Sequence, residues 1–352
     1  MVGVSLLGLS ACAIPEAAAP EGVKPQAAMP EADSKLTDLT SYILMRTDAG
    51  AQKPERMSAD DAAAVLATYD VVFIGEEHRH PGNHLAEMVL FRAIHARAPA
   101  LSLSMEQFER DVQPLVDDYL AGKIGENPFT DKARAWDNYD TSYRPLVEYA
   151  KEHKLPVIAA NAPGSVVRCV GKEGLAFFDR ITPQQRLWAA KTFNVQDGPY
   201  RDKFLGFVHG DAGHGGEGKK DDKAAAKKPP SESALRSFAA QVTRDDTMAE
   251  SIALHLQKNP GRKVEHLNGY FHSASFLGTV ERLQMRMPTL KIAVITPVEA
   301  KGSDITVKPE DAKTGTFVLL LRSSPEPYAN DDEMKDAVNK QMAARGKTKC
   351  EL

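Results

Sequence analysis

The chain has 352 residues, of which 42% are hydrophobic and 26% charged, and carries a net charge of −4. That composition suits a globular protein with a substantial core. It excludes a strongly basic nucleic-acid surface, and no apolar run approaches the roughly 18 residues a membrane-spanning helix requires.

Met1 to Ala11 is small and apolar and runs into Leu9-Ser10-Ala11-Cys12. That tetrad is similar to the lipobox of bacterial lipoproteins, so residues 1–11 are expected to be a signal segment and Cys12 the lipidated residue. No Lys or Arg precedes Lys24, so the basic start of such a signal is missing. Residues 12–35, rich in Ala, Pro and Glu, read as a tether. The expectation is a bacterial envelope protein with a lipid anchor, and the lack of Asp after Cys12 points to the outer membrane. The two other cysteines, Cys169 and Cys350, would bridge in an oxidising compartment or remain free thiols. Their spacing leaves both open.

Residues 36–325 read as one α/β body. Val71 to Ile74 is a short β-branched run expected to be a buried strand, and Asn83 to Arg97 follows with apolar residues on one helical face. Leu101 to Met105 reads as a second strand. Asp111 to Leu120 is predicted helical, as is Leu146 to His153 behind Pro145. Pro156 to Ala160 is a third strand, Val264 to Leu267 a fourth, Lys291 to Ile295 a fifth and Thr316 to Leu321 a sixth. Between them, residues 234–257 and 273–285 are predicted helices. Alternating strands and helices imply a mainly parallel sheet with helices on both faces. Residues 209–233, rich in Gly, Lys and Ala, are expected to be a mobile insertion, and residues 326–352 a charged tail.

Ligands of open parallel sheets bind beyond the carboxyl ends of the strands. The first strand delivers Glu76, Glu77 and His78 there. The second delivers Glu106 and Gln107, the third Asn161, and the fourth Asn268, Tyr270 and His272. Two imidazoles, several carboxylates and two amides on one edge favour a site over a plain core. The G-x-x-H spacing occurs at Gly75–His78, Gly206–His209 and Gly269–His272. With 24 Gly and 10 His, about one match arises by chance. The first and last follow predicted strands, and glycine is expected there to turn the chain sharply.

Five blocks resemble one family, the ChaN-type haem-binding lipoproteins of the Tiki superfamily. They are Val72 to His78, Met105 to Arg110, Tyr143 to Ala150 with Leu155 to Pro163, Arg244 to Glu250, and Leu267 to Ser273. The resemblance implies the Tiki/ChaN/erythromycin-esterase-like fold and haem as ligand, with a part in iron acquisition. By that resemblance Glu76, His78, Glu106, Arg110, Tyr139, Tyr143, Asn161, Arg244, Tyr270 and His272 are the candidate haem-binding residues. Haem iron accepts imidazole or phenolate, and Arg79, Arg110 and Arg144 are cations available to propionates. A homodimer sharing haem would be compatible with the resemblance.

The wider superfamily includes hydrolases, which implies an alternative. His78, His272, Glu76 and Glu106 would hold one divalent metal, or His78, Glu106 and His272 would act as catalytic residues on water. No serine sits in a nucleophile elbow. A third reading is a scaffold lipoprotein without a small ligand. His80, His84, His95, His153, His255 and His266 are expected to be surface or satisfied residues, with His80 and His84 near the site.

Overall fold

The computed structural model describes residues 35–48, 53–208, 229–302, 305–347 and 349–352. In chain order it holds β1 (Tyr42–Arg46), β2 (Glu55–Met57), α1 (Ala59–Leu66), β3 (Val71–Glu76), α2 (Pro81–Arg97) and β4 (Leu101–Glu109). Then come α3 (Gln113–Leu120), α4 (Glu126–Lys132), α5 (Arg144–Glu152), β5 (Val157–Asn161), α6 (Gly164–Glu173), α7 (Pro183–Arg186) and α8 (Pro199–Val208). The last group is α9 (Glu232–Lys258), β6 (Lys263–Gly269), α10 (Thr279–Arg286), β7 (Ile292–Ala300), β8 (Phe317–Arg322) and α11 (Asp331–Lys347).

The strands form one sheet in the order β2-β1-β8-β7-β3-β6-β4-β5. The six strands from β8 to β5 run parallel, and β1 pairs antiparallel with both β2 and β8. All six expected strands lie in the parallel part. The chain leaves β3 for β4, and β6 later returns between them. Their carboxyl ends therefore surround a switch point, where open α/β sheets place their ligands.

Both faces of the central strands are covered, so β3 is buried along its whole length. Val71, Phe73, Val264 and Val294 pack against Met248, Ile252 and Leu283 of α9 and α10. On the other face α2 packs against β3. Each such apolar side chain contributes about 1.5–3 kcal/mol on burial. The Leu–Ser alternation of β4 looks like a half-exposed strand, yet Ser102 and Ser104 are also buried. Their hydroxyls meet His255 Nε2 at 2.9 Å and His266 Nδ1 at 2.8 Å, which removes the cost of burying them.

Several expectations change. The helix expected at Asp111 starts at Gln113, after a 3₁₀ turn at Arg110–Val112. The helix expected from Ser273 starts at Thr279, because Ser275, Phe276 and Gly278 take positive φ. Ser231 caps α9 by accepting from Ala234 N, so Glu232 and Ser233 belong to a helix and not to the insertion. Residues 209–228 of that insertion, like Cys12, the signal segment and most of the tether, lie outside the described residues. The charged tail contains α11. The sequence reading passed over β1, β2 and α1.

Candidate functional site

The site begins on the α2 side of the sheet. Beyond Glu76 the chain runs through Glu77 and His78 to Arg79, whose φ of 70° reverses it towards α2. The sharp turn therefore lies at Arg79, and neither Gly75 nor Gly269 takes positive φ. Asn83 Oδ1 accepts the Glu77 amide at 3.0 Å and holds this reversal. His80 is buried at the start of α2, its Nε2 2.7 Å from the Arg322 carbonyl, which makes it a satisfied structural residue.

The reversal folds His78 back so that Nδ1 lies 2.7 Å from Glu76 Oε1. The same oxygen accepts Gln107 Nε2 at 2.8 Å and the Tyr143 hydroxyl at 2.9 Å. Burial opposes the charge on Glu76, but the His78 bond, the charges of His78 and His84 and the Tyr143 bond hold its pKa below the ordinary value. Burial likewise opposes the His78 cation, yet Glu76, with Glu106 and Glu77, pushes its pKa up to about 9. Trp136 stands edge-on to the His78 ring, with centroids 5.1 Å apart.

Behind this dyad lies a sealed polar layer. Glu76, His84 and Glu87 each offer a donor atom within 4.8 Å of the others, the only such trio among the described residues. Burial, and then the charge and hydrogen bond of Glu76, push the Glu87 pKa well above the ordinary range and so favour its protonated form. Burial also pushes the Glu265 pKa well above the ordinary range, and neither of its oxygens has a hydrogen-bond partner among the described residues.

Successive residues of a strand point to opposite faces. Gln107 joins Glu76, so Glu106 faces the α9 side. There Glu106 Oε2 accepts the Gly269 amide at 2.8 Å, and Oε1 lies 3.4 Å from His272 Nε2. His272 Nδ1 is 2.7 Å from Asp245 Oδ1 of α9. Tyr200 and Thr279 also donate to Asp245, at 2.6 and 2.9 Å. Burial disfavours both charges of this pair. Glu106 and Asp245 nevertheless raise the His272 pKa, while His272 and Arg282 lower that of Asp245.

The two dyads meet over Gly269, which separates His78 from Glu106. A chain of groups, Asp245–His272–Glu106 and His78–Glu76, thus crosses the ends of β4, β6 and β3. Carboxylates orient both rings, and His78 is left half-exposed while His272 is buried. Such an edge can present one imidazole nitrogen, Nε2 of His78, to a ligand.

Other predicted residues fall elsewhere. Arg110 points to α9, donating to Glu250 Oε1 at 3.0 Å, Ser251 Oγ at 2.8 Å and the Thr247 carbonyl at 2.7 Å. It ties β4 to α9 and is not turned to a propionate. Asn161 spends its amide on the Glu106 carbonyl, at 3.0 Å, and on the Ala162 amide. Tyr139 is buried between Phe108 and Phe129, and its hydroxyl has no hydrogen-bond partner among the described residues. Tyr270 is half-buried near Glu77 and Glu299. Arg244 is half-buried, and its charge acts on His272. Arg79 and Arg144 form exposed ion pairs with Asp137 and with Glu126 and Asp140.

The quartet His78, His272, Glu76 and Glu106 pairs as Glu76–His78 and Glu106–His272, which face each other across Gly269. Sequence reasoning passed over Asp245, although it sits in the Arg244–Glu250 block, and Trp136, which carries no motif. It also left His84 among the bland histidines. His95, His153 and His255 are hydrogen-bonded to Tyr149 or Ser102, as expected of satisfied residues. His266 is satisfied only in part: Nδ1 meets Ser104 Oγ, but its buried Nε2 has no hydrogen-bond partner among the described residues.

Residues 62–283 match the family model described as haem-binding uptake, Tiki superfamily, ChaN. Among solved structures, a ChaN of Campylobacter jejuni with cofacially bound haem aligns at a TM-score of 0.55 and 15% identity, covering 80% of this chain and 97% of that one. An erythromycin esterase in its open conformation aligns at a TM-score of 0.42 and 12% identity, covering 85% of this chain and 87% of its own. No curated protein matches the chain. The first likeness supports the fold. The family match spans well over half of the residues, and the chain belongs to the ChaN haem-binding uptake family of the Tiki superfamily.

Proposed function

We propose that this protein is an envelope lipoprotein that binds haem through His78 and serves iron acquisition, anchored by Cys12 in the outer membrane on the periplasmic side. One observation carries the haem site. Glu76 occupies His78 Nδ1, so Nε2, which lies beside Gly269 at the sheet edge, is the ring nitrogen left for a ligand. A carboxylate behind a ligating imidazole fixes its tautomer and raises its basicity.

The surrounding residues fit haem. His272 has both ring nitrogens facing carboxylates, so it supports Glu106 and does not ligate. Tyr143 is committed to Glu76. Tyr270 is the phenolate alternative to His78. Arg244 would take a propionate. Bound haem supplies a redox-active iron, and the chain's own residues bind and orient it.

Haemin titration of the purified protein tests this. A saturable Soret shift that weakens at least tenfold in His78→Ala is expected. A flat, non-saturating titration at micromolar protein sinks the reading. Light scattering with and without haemin reads the homodimer. Labelling with an alkyne fatty acid is expected to mark the wild type and not Cys12→Ser, and label retained in that variant removes the anchor.

A further inference from the structure

Cys169 lies on α6, in an apolar cluster with Val166, Val170, Phe177 and Ala239. Cys350, which follows α11, packs against the same cluster. Two residues far apart along the chain are thus side by side. Cys350 is near enough to act on the ionisation of both the Cys169 thiol and the Glu173 carboxyl. Arg180 closes the arrangement. It pairs with Glu173 at 2.7 Å and donates to the Cys350 carbonyl at 3.3 Å. Both cysteines are thiols in this structure.

We propose that Cys169 and Cys350 are the two halves of an intramolecular disulfide that fastens the segment after α11 to α6. Cysteines packed on one apolar cluster need only a modest approach to reach bonding distance, and Cys350 lies in non-helical chain able to supply it.

The accessibilities set the order of steps. Cys350 is half-exposed and Cys169 is buried. Burial, then Cys350 itself, pushes the Cys169 thiol up to about 12, so it does not attack an external oxidant first. The Cys350 thiolate attacks a small external disulfide, RS–SR, and releases one thiol. Cys169 then gives up its proton and attacks the Cys350 sulfur, which releases the second. Two protein thiols are oxidised, RS–SR is reduced to two RSH, and the two protons leave with them.

The inference stands apart from the haem reading and is tested on the full chain without haem. The protein is equilibrated in glutathione buffers from reduced to oxidised, alkylated, digested without reductant and analysed by mass spectrometry. The expected product is a peptide pair joined through Cys169 and Cys350. The oxidised protein should also melt several degrees higher than the reduced one, a gain that Cys350→Ser abolishes. The proposal is overturned if both cysteines are still alkylated at the oxidised end. It is equally overturned if they appear only as glutathione adducts or joined to Cys12.

Discussion

A β-carbon on Gly269 would stand 2.7 Å from His78 Nε2, so the glycine of the second G-x-x-H motif makes room for the histidine of the first. The converse also holds. A β-carbon on Gly75 would meet Tyr270 Cβ at 2.9 Å and the Ile295 carbonyl at 3.2 Å. Each glycine keeps space for residues outside its own motif, which is why both motifs carry one.

The two glycines should therefore fail differently. In Gly269→Ala the obstacle is the end of a half-exposed side chain, which can move. Haemin affinity is expected to fall about tenfold (about 1.4 kcal/mol) with little loss of stability. In Gly75→Ala backbone atoms are in the way, and overpacking of about 1–3 kcal/mol is expected. Urea denaturation and haemin titration of both variants separate the effects, and equal behaviour would contradict this account.

His78 should titrate near 9 in the haem-free protein and fall towards the ordinary imidazole range in Glu76→Gln. Because the folded pKa is raised, the stabilisation from this pair is complete below about pH 6.5 and lost as pH rises through about 9. Imidazole resonances followed by NMR read both. An unshifted value in the wild type would remove the dyad.

Asp245→Asn should be severe, because it leaves His272 facing Glu106 without its nearer partner. Breaking a buried pair costs about 3–5 kcal/mol. The wild-type contribution of Asp245 is present above the ordinary aspartate range and lost as pH falls through its lowered pKa. That of His272 is present below the ordinary imidazole range and lost as pH rises through its raised pKa. Chemical denaturation across pH should show the variant losing most between those limits. A uniform small loss would speak against the pairing.

Glu87→Gln should be nearly silent at pH 7, within about 1 kcal/mol, because burial beside Glu76 favours the protonated side chain that glutamine resembles. Folded protein keeps the Glu87 proton that unfolded chain releases, so wild-type stability declines as pH climbs above the ordinary glutamate range. The variant should lack that decline. Infrared difference spectra should show a protonated-carboxyl band that disappears with the substitution. If no band is lost, Glu87 is ionised.

Arg110→Ala should lower stability while leaving haemin affinity unchanged, since its guanidinium holds α9 and not the sheet edge. Losing charge-assisted bonds that leave Glu250 without its cation is worth about 2–4 kcal/mol. A drop in affinity at unchanged stability would restore Arg110 to the site.

The amino-acid order by itself determined the alternation of strands and helices, the six parallel strands and the two motifs at strand ends. Those features live in local periodicity, such as the β-branched run at Val71 to Ile74, and in short blocks read within one segment. Only the tertiary structure decided which face each residue serves. Glu106 and Gln107 are neighbours in sequence, yet one joins His272 and the other Glu76, because a single step along a strand reverses the side chain. It also brought Asp245 from α9 to His272 and Trp136 to His78, and it turned Arg110 away. Such partners follow from strand order and helix packing, contacts made through space between distant segments, which no local pattern encodes.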